Sequence, residues 1–244
     1  MEQSSNKMNL PEITGLFGCH ITVKNANDGR TPSKEQVEKF QSCLLHNEVL
    51  KGCKPVLVLY PSEDFYPIES IRMRPQELMT SSYHSGKRSD VLSRVLQMSQ
   101  ALEEEGFELL RVKLEAMANC KNVEIDCDNS NDVKYFEYHT KIYLRSDEEE
   151  RQLCHLDELL IKEGVARSQN LLGKHYEKCG HLLTFRWFQP ITKAECDTIH
   201  KEFLKKLETH FASTSVLEIA ESEKEYAVYD SNIFVDQGWA PIAP

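Results

Sequence analysis

Phe136–Leu144, FEYHTKIYL, starts a pattern that the chain has already run through once. With a strand's two-residue period, Tyr138, Ile142 and Leu144 share one face, and Glu137, His139, Lys141 and Tyr143 share the other. Ser146 and Glu149 then make a capping-box signature, opening a helix with Leu153, Leu156 and Leu160 on one side and Gly164 at its end. A weak strand near Val165–Gln169 and a strong one at His181–Phe188 (HLLTFRWF) follow. Thr192 and Glu195 open a second helix, striped by Cys196, Ile199, Phe203, Leu207 and Phe211, and a strand region from Val216 to about Tyr229 closes the run.

The same order precedes it. Gly18–Lys24 (GCHITVK) alternates, Ser33 and Gln36 cap a helix carrying Val37, Phe40 and Leu44, and Lys54–Tyr60 (KPVLVLY) is a second strand. A third strand lies near Leu78–His84. A helix from about Arg88 to Glu105 buries Val91, Val95, Met98 and Leu102 and stops at Gly106, and Phe107–Glu115 (FELLRVKLE) is the fourth strand. Two strand-helix-strand-strand-helix-strand runs predict an α+β protein, a tandem duplication of a ferredoxin-like βαββαβ unit. The expected divisions are a disordered tail over 1–14, the first repeat over 15–118, a linker over 119–133, the second repeat over 134–230, and a C-terminal docking segment over 231–244. In that last segment Phe234 and Trp239 are expected to pack on the body. Each unit sets both helices on one sheet face, so two open faces packed together give a bilobal protein with an inter-lobe cleft. A continuous eight-stranded sheet or a barrel satisfies the same pattern.

The chain has 244 residues and a formal charge of −10, which argues against a large nucleic-acid surface. No run of about 18 uncharged apolar residues occurs and residues 1–14 hold no apolar core of a signal, so a cytoplasmic protein away from membranes is expected. The 8 cysteines lack C-x-x-C pairs and read as reduced thiols. His175, Cys179 and His181 lack a fourth ligand at a familiar spacing, and neither metal nor cofactor is expected. Oligomeric state is not encoded in any of these patterns.

The open faces carry the chemistry. His20, Thr22 and Lys24 come from the first strand and Arg111, Lys113 and Glu115 from the fourth; Thr80, Ser82 and His84 are assigned there from the third. The second half adds Glu137, His139, Lys141, Thr184 and Arg186. Arg, Lys and His around one concavity favour a phosphate-bearing small molecule or nucleotide, although the same alternation describes a merely solvated face. Ser85-Gly86-Lys87-Arg88, where a strand meets a helix, is a second candidate for an anion because helix-start N–H groups attract negative charge. A helix cap with exposed basic residues fits it equally.

His20-Ile21-Thr22-Val23 resembles the H-x-T motif of the two-histidine phosphoesterases, a family of duplicated, two-lobed proteins. The resemblance implies phosphodiester hydrolysis with His20 and His139 as base and acid and Thr22 on the phosphate. Lys141 stands where the second motif has a hydroxyl residue. Lys141 and Arg186, with Thr184, His84, Lys87, Arg88, Arg111 and Lys113, then make the substrate-binding set. A second enzyme reading is a polyphosphate-processing tunnel, with Glu115 and Glu137 as candidate acidic metal ligands. The competing class is a non-enzymatic interaction scaffold.

Overall fold

A computed structural model describes residues 11–26, 31–60, 76–124, 134–145, 149–172, 178–212 and 217–236. The expectations for residues 1–10, for most of the linker, and for Ser146, His175, Trp239 and the segment 237–244 lie outside them, as does the side chain of Cys179. The first half runs β1 (Thr14–Val23), α1 (Lys34–His46), β2 (Lys54–Leu59), β3 (Gln76–Lys87), α2 (Arg88–Glu104) and β4 (Leu109–Met117). The second runs β5 (Tyr135–Arg145), α3 (Glu149–Glu163), β6 (Ala166–Asn170), β7 (Lys178–Phe188), α4 (Lys193–Phe211) and β8 (Leu217–Asp230), and a short 3-10 turn, Ile233–Asp236, follows. The protein is thus mixed α+β, with four helices named among the described residues beside one large antiparallel sheet.

Local chemistry accounts for the element ends. Ser33 Oγ accepts from the Gln36 N–H at 3.2 Å, and α1 stops at Asn47, whose side chain caps the turn Glu48–Leu50. Thr192 and Glu195 form a complete capping box on α4. Gly106 and Gly164, at φ of 83° and 67°, take the left-handed conformation that ends α2 and α3. On α4 the buried stripe is Cys196, His200, Phe203, Leu207 and Phe211. Ile199, expected in it, is 43% exposed, because four-residue steps from Cys196 land on His200.

The strand order is β4-β1-β3-β2 in the first half and β8-β5-β7-β6 in the second, and the sheet closes into an eight-stranded barrel. An enclosed interior therefore stands where an open inter-lobe cleft was expected. Two seams join the halves. Along β4–β8, pairing extends from Lys113↔Asp230 to Met117↔Glu225; along β2–β6 it comprises Val58↔Asn170 and Leu59↔Gln169. The helix-facing side of the strands supplies the apolar core, in which Phe17, Ile21, Leu78, Leu114, Phe136, Tyr138 and Tyr226 are fully buried. Opposite residues point into the barrel, as the strand period requires. Among the described residues no helix is long and apolar enough to cross a membrane.

The C-terminal segment docks differently from the expectation. Phe234 is 67% exposed, whereas Asp236, at 2%, is drawn into the barrel by charge. The α4 cap offers a direct check on this local account. Thr192→Ala should lower stability by about 1 kcal/mol, read as a shifted urea midpoint at an unchanged m-value.

Candidate functional site

Antiparallel partners place their side chains on the same face, so the register identifies the inward residues. His20 pairs with Lys113 and Thr22 with Arg111; Glu137 pairs with Arg186 and with Glu225; His139 pairs with Thr184 and with Glu223. All of these face the interior. Thr80, Ser82 and His84 do not, because they pair with Ile21, Cys19 and Phe17, which belong to the apolar core. His84 Nε2 lies 3.0 Å from Ser82 Oγ on the helix side, where burial and Arg94 lower its pKa. It is no part of the interior, and β3 turns Met79, Ser81 and Tyr83 inward instead.

The expected basic cleft is neutralised from within. Arg111 donates to Asp230 at 2.5 and 2.9 Å and to Asp236 at 3.0 Å. Arg186 reaches the same Asp236 at 2.6 Å and Glu137 Oε2 at 2.5 Å. Lys113 Nζ stands 2.6 Å from Glu137 Oε1 and 2.7 Å from Glu115 Oε1, and His20 Nε2 lies 3.6 Å from Glu115 Oε2. From Asp230 to Glu115 the charges alternate in sign without a break. Tyr135 supports the first links, its hydroxyl donating to Asp230 at 2.6 Å and its ring lying 4.6 Å beneath the Arg186 guanidinium. Burial opposes the charge on Glu137, yet Arg186 and Lys113 hold its pKa well below the ordinary carboxylate range.

The histidines flank the far end of this chain. His139 Nε2 is 3.3 Å from Glu137 Oε1 and 3.5 Å from Glu225 Oε2, and its Nδ1 is 3.0 Å from Thr184 Oγ1. His20 Nδ1 is 3.3 Å from the Thr80 carbonyl oxygen, which turns Nε2 toward Glu115. Burial lowers the His20 pKa, against the pull of Glu115, so the ring is neutral at pH 7. Both rings keep some contact with solvent, at 20% and 13% exposure, while Glu115 is at 0%. Glu225 reaches the pair across Gly18, where a Cβ would sit 2.7 Å from Glu225 Oε1. Burial, followed by Glu115, pushes the Glu225 carboxyl well above its usual range.

Several polar atoms here have no hydrogen-bond partner although they are buried, namely Thr22 Oγ1, Glu225 Oε1 and both oxygens of Glu115. Glu115 does contact Lys113 at 2.7 Å, but as an ion pair without hydrogen-bond geometry. Buried groups of this kind are uncommon and concentrate where a ligand or ion belongs.

The remaining expected residues lie elsewhere. Lys141 shares the inward face of β5, with Nζ 5.2 Å over the Tyr143 ring. Lys87 pairs with Thr14, six residues from His20 along β1 and so roughly 20 Å away at strand rise. There the Ser89 N–H at the start of α2 donates to Glu12 Oε1 at 2.7 Å, and Lys87 and Arg88 flank the same carboxylate. The anion of that helix start is supplied by the chain itself. His181 of the cysteine–histidine stretch is 2% exposed, on the helix side beside Arg167.

Glu225, Asp230, Asp236 and Tyr135 were not singled out from the sequence. For Glu225 the signal is present in Glu221-Ser222-Glu223-Lys224-Glu225, three acids at a strand's period. Asp236 has no local signal, because its partners are 125 and 50 residues away.

Fold and site together define an eight-stranded α+β barrel with a charged, histidine-bearing interior. Its sequence matches no protein-family model and no curated protein. Two solved structures show remote likeness. One is a crystal structure carrying the provisional name chlorite dismutase, at TM-score 0.27 and 9% identity, covering 88% of this chain and 96% of the other. The second is a dye-decolorizing protein from V. cholerae, at TM-score 0.25 and 11% identity, covering 89% and 95%. Likeness at this level carries neither fold nor chemistry over to the present chain.

Two consequences can be measured. Arg186→Leu removes one of the two cations on Glu137 and one of the two on Asp236, so unfolding free energy should fall by about 3–5 kcal/mol; a loss below about 1 kcal/mol would mean that the chain of charges is not anchored there. Glu77, on β3, has its pKa raised from 4.5 to about 7 by burial and by Asp236. The folded protein therefore keeps a proton that the unfolded chain releases, and wild type loses stability as pH rises across that window. Relative to Glu77→Gln the loss should be on the order of 1–3 kcal/mol, flat below pH 4.5 and above pH 7. Parallel stability curves for the two proteins would refute the assignment.

Proposed function

We propose that the histidine end of the barrel binds a phosphate-bearing small molecule and hydrolyses its phosphoester. The carrying observation is the convergence of His20 and His139 on one carboxylate–lysine cluster, each ring anchored at Nδ1 and turned inward at Nε2. His20, neutral through burial, takes a proton from water as the water oxygen bonds to phosphorus. The P–O bond to the departing group breaks as His139 Nε2 gives a proton to its oxygen, which balances the one taken up by His20. Thr22 Oγ1, buried without a partner two residues from His20, is available to a phosphate oxygen. Lys141 is the cation of this set placed on the same strand face as His139. The repeated strand order supports reading the halves as a tandem duplication of a ferredoxin-like unit, which supplies one histidine from each first strand.

A second reading has its own support. Arg111, Lys113 and Arg186 are each engaged by internal carboxylates, as in a barrel whose interior serves stability and whose outside serves partners. Turnover separates the two. With bis(p-nitrophenyl) phosphate and nucleoside cyclic phosphates, wild type should release product, and His20→Ala should lower kcat by about 10²–10⁴. Absence of turnover leaves the non-enzymatic reading, and turnover unaffected by His20→Ala removes His20 as the base.

A further inference from the structure

We propose that Glu115, Glu137 and His139 hold one divalent transition-metal ion in the barrel interior. An oxygen from each carboxylate and a ring nitrogen of His139 all lie within 4.8 Å of one another, close enough for small side-chain rotations to bring all three onto one ion at about 2.0–2.2 Å.

Three features separate this group from an ordinary acidic cluster. The first is presentation. Thr184 Oγ1 holds His139 at Nδ1, leaving Nε2 beside Glu137 Oε1, while Arg186 engages Glu137 through Oε2. Such outer contacts are what orient a metal's ligands. The second is Glu115, at 0% exposure, neither of whose oxygens accepts a hydrogen bond; Glu225 Oε1, at 2%, is in the same condition beside it. The third is charge. In the line of charges four buried carboxylates (Glu115, Glu137, Asp230 and Asp236) face three cations, Arg111, Lys113 and Arg186, while the Glu225 carboxyl beside them keeps its proton. The interior is short of positive charge, and Lys113 Nζ already bridges Glu115 and Glu137. An ion entering from the His139 side takes over the Glu137 Oε1 contact of Lys113.

Two carboxylate oxygens and one imidazole nitrogen suit the manganese, iron and zinc class better than calcium or a soft monovalent ion. The inference deepens the hydrolytic reading and rests on it for the ion's task. Placed on His139, the ion is the Lewis acid that meets the departing oxygen in place of the His139 proton, and His20 remains the base.

The test is equilibrium binding of Mn²⁺ to the chelator-treated full chain, with circular dichroism to verify folding of every variant. Wild type should bind one ion, and Glu115→Gln and His139→Ala should each weaken binding at least about tenfold. Thr184→Val, which touches no ion, should weaken it by about 10–100-fold through the loosened ring. Lys113→Met should tighten it by removing the competing ammonium, an outcome that a purely structural cluster does not give. Absence of saturable binding, or binding indifferent to Glu115→Gln and His139→Ala, overturns the site. Phosphodiester turnover that survives chelation removes the ion from the reaction and leaves the two-histidine hydrolase standing, with the ion itself judged by the binding measurements. Site-specific Mn²⁺ binding without turnover of any phosphoester upholds the ion and removes the hydrolytic reading.

Discussion

The barrel is held in register by a line of alternating charge, Asp230–Arg111–Asp236–Arg186–Glu137–Lys113–Glu115, buried from end to end. Taking any one of these ions out of water alone costs several kcal/mol, and the interior is tolerable only because each neighbour has the opposite sign. The line crosses β4, β5, β7, β8 and the C-terminal turn, so none of these four strands shifts by a residue without parting a charge from its partner. This explains why a 3-10 turn with an exposed Phe234 sits firmly against the body. One carboxylate, bonded to two guanidinium groups, holds it there.

At its Glu115 end the line meets groups of different character. His20 and His139 are partly solvated, Glu225 reaches across Gly18, and several oxygens have no partner. Satisfaction thus falls off along the barrel, from fully bonded arginines to under-bonded acids and imidazoles. A gradient of that kind suits a molecule whose fold and whose reactivity occupy different depths of one interior.

Much of this was legible because strand parity is a local property. Alternation in GCHITVK, FELLRVKLE, FEYHTKIYL and HLLTFRWF places His20, Arg111, Lys113, Glu137, His139, Thr184 and Arg186 on the inward face with no knowledge of pairing. β3 defeats the same reasoning, since its polar Thr80, Ser82 and His84 face the helices, where Thr80 Oγ1 accepts from the Ile21 N–H. Polarity marks a face only when nothing on the helix side binds it. The basic character assigned to the interior failed for a related reason. Beside Glu115 and Glu137, further neutralising acids arrive from Asp230 and Asp236, far along the chain, and Glu12 fills the α2 start from before β1. Counting cations on a strand does not reveal which carboxylates will meet them.

The two seams of the barrel are unequal among the described residues. β4–β8 is extended at both ends by backbone bonds, Ser231 N–H to Val112 and Ala118 N–H to Lys224. Among the described residues β2–β6 has two pairs, assisted by the Leu171 N–H bonded to Leu57 and by the Asn170 side chain. Among the described residues, parting the halves along β2–β6 breaks fewer backbone bonds than parting them along β4–β8, which makes β2–β6 the seam of lower local stability.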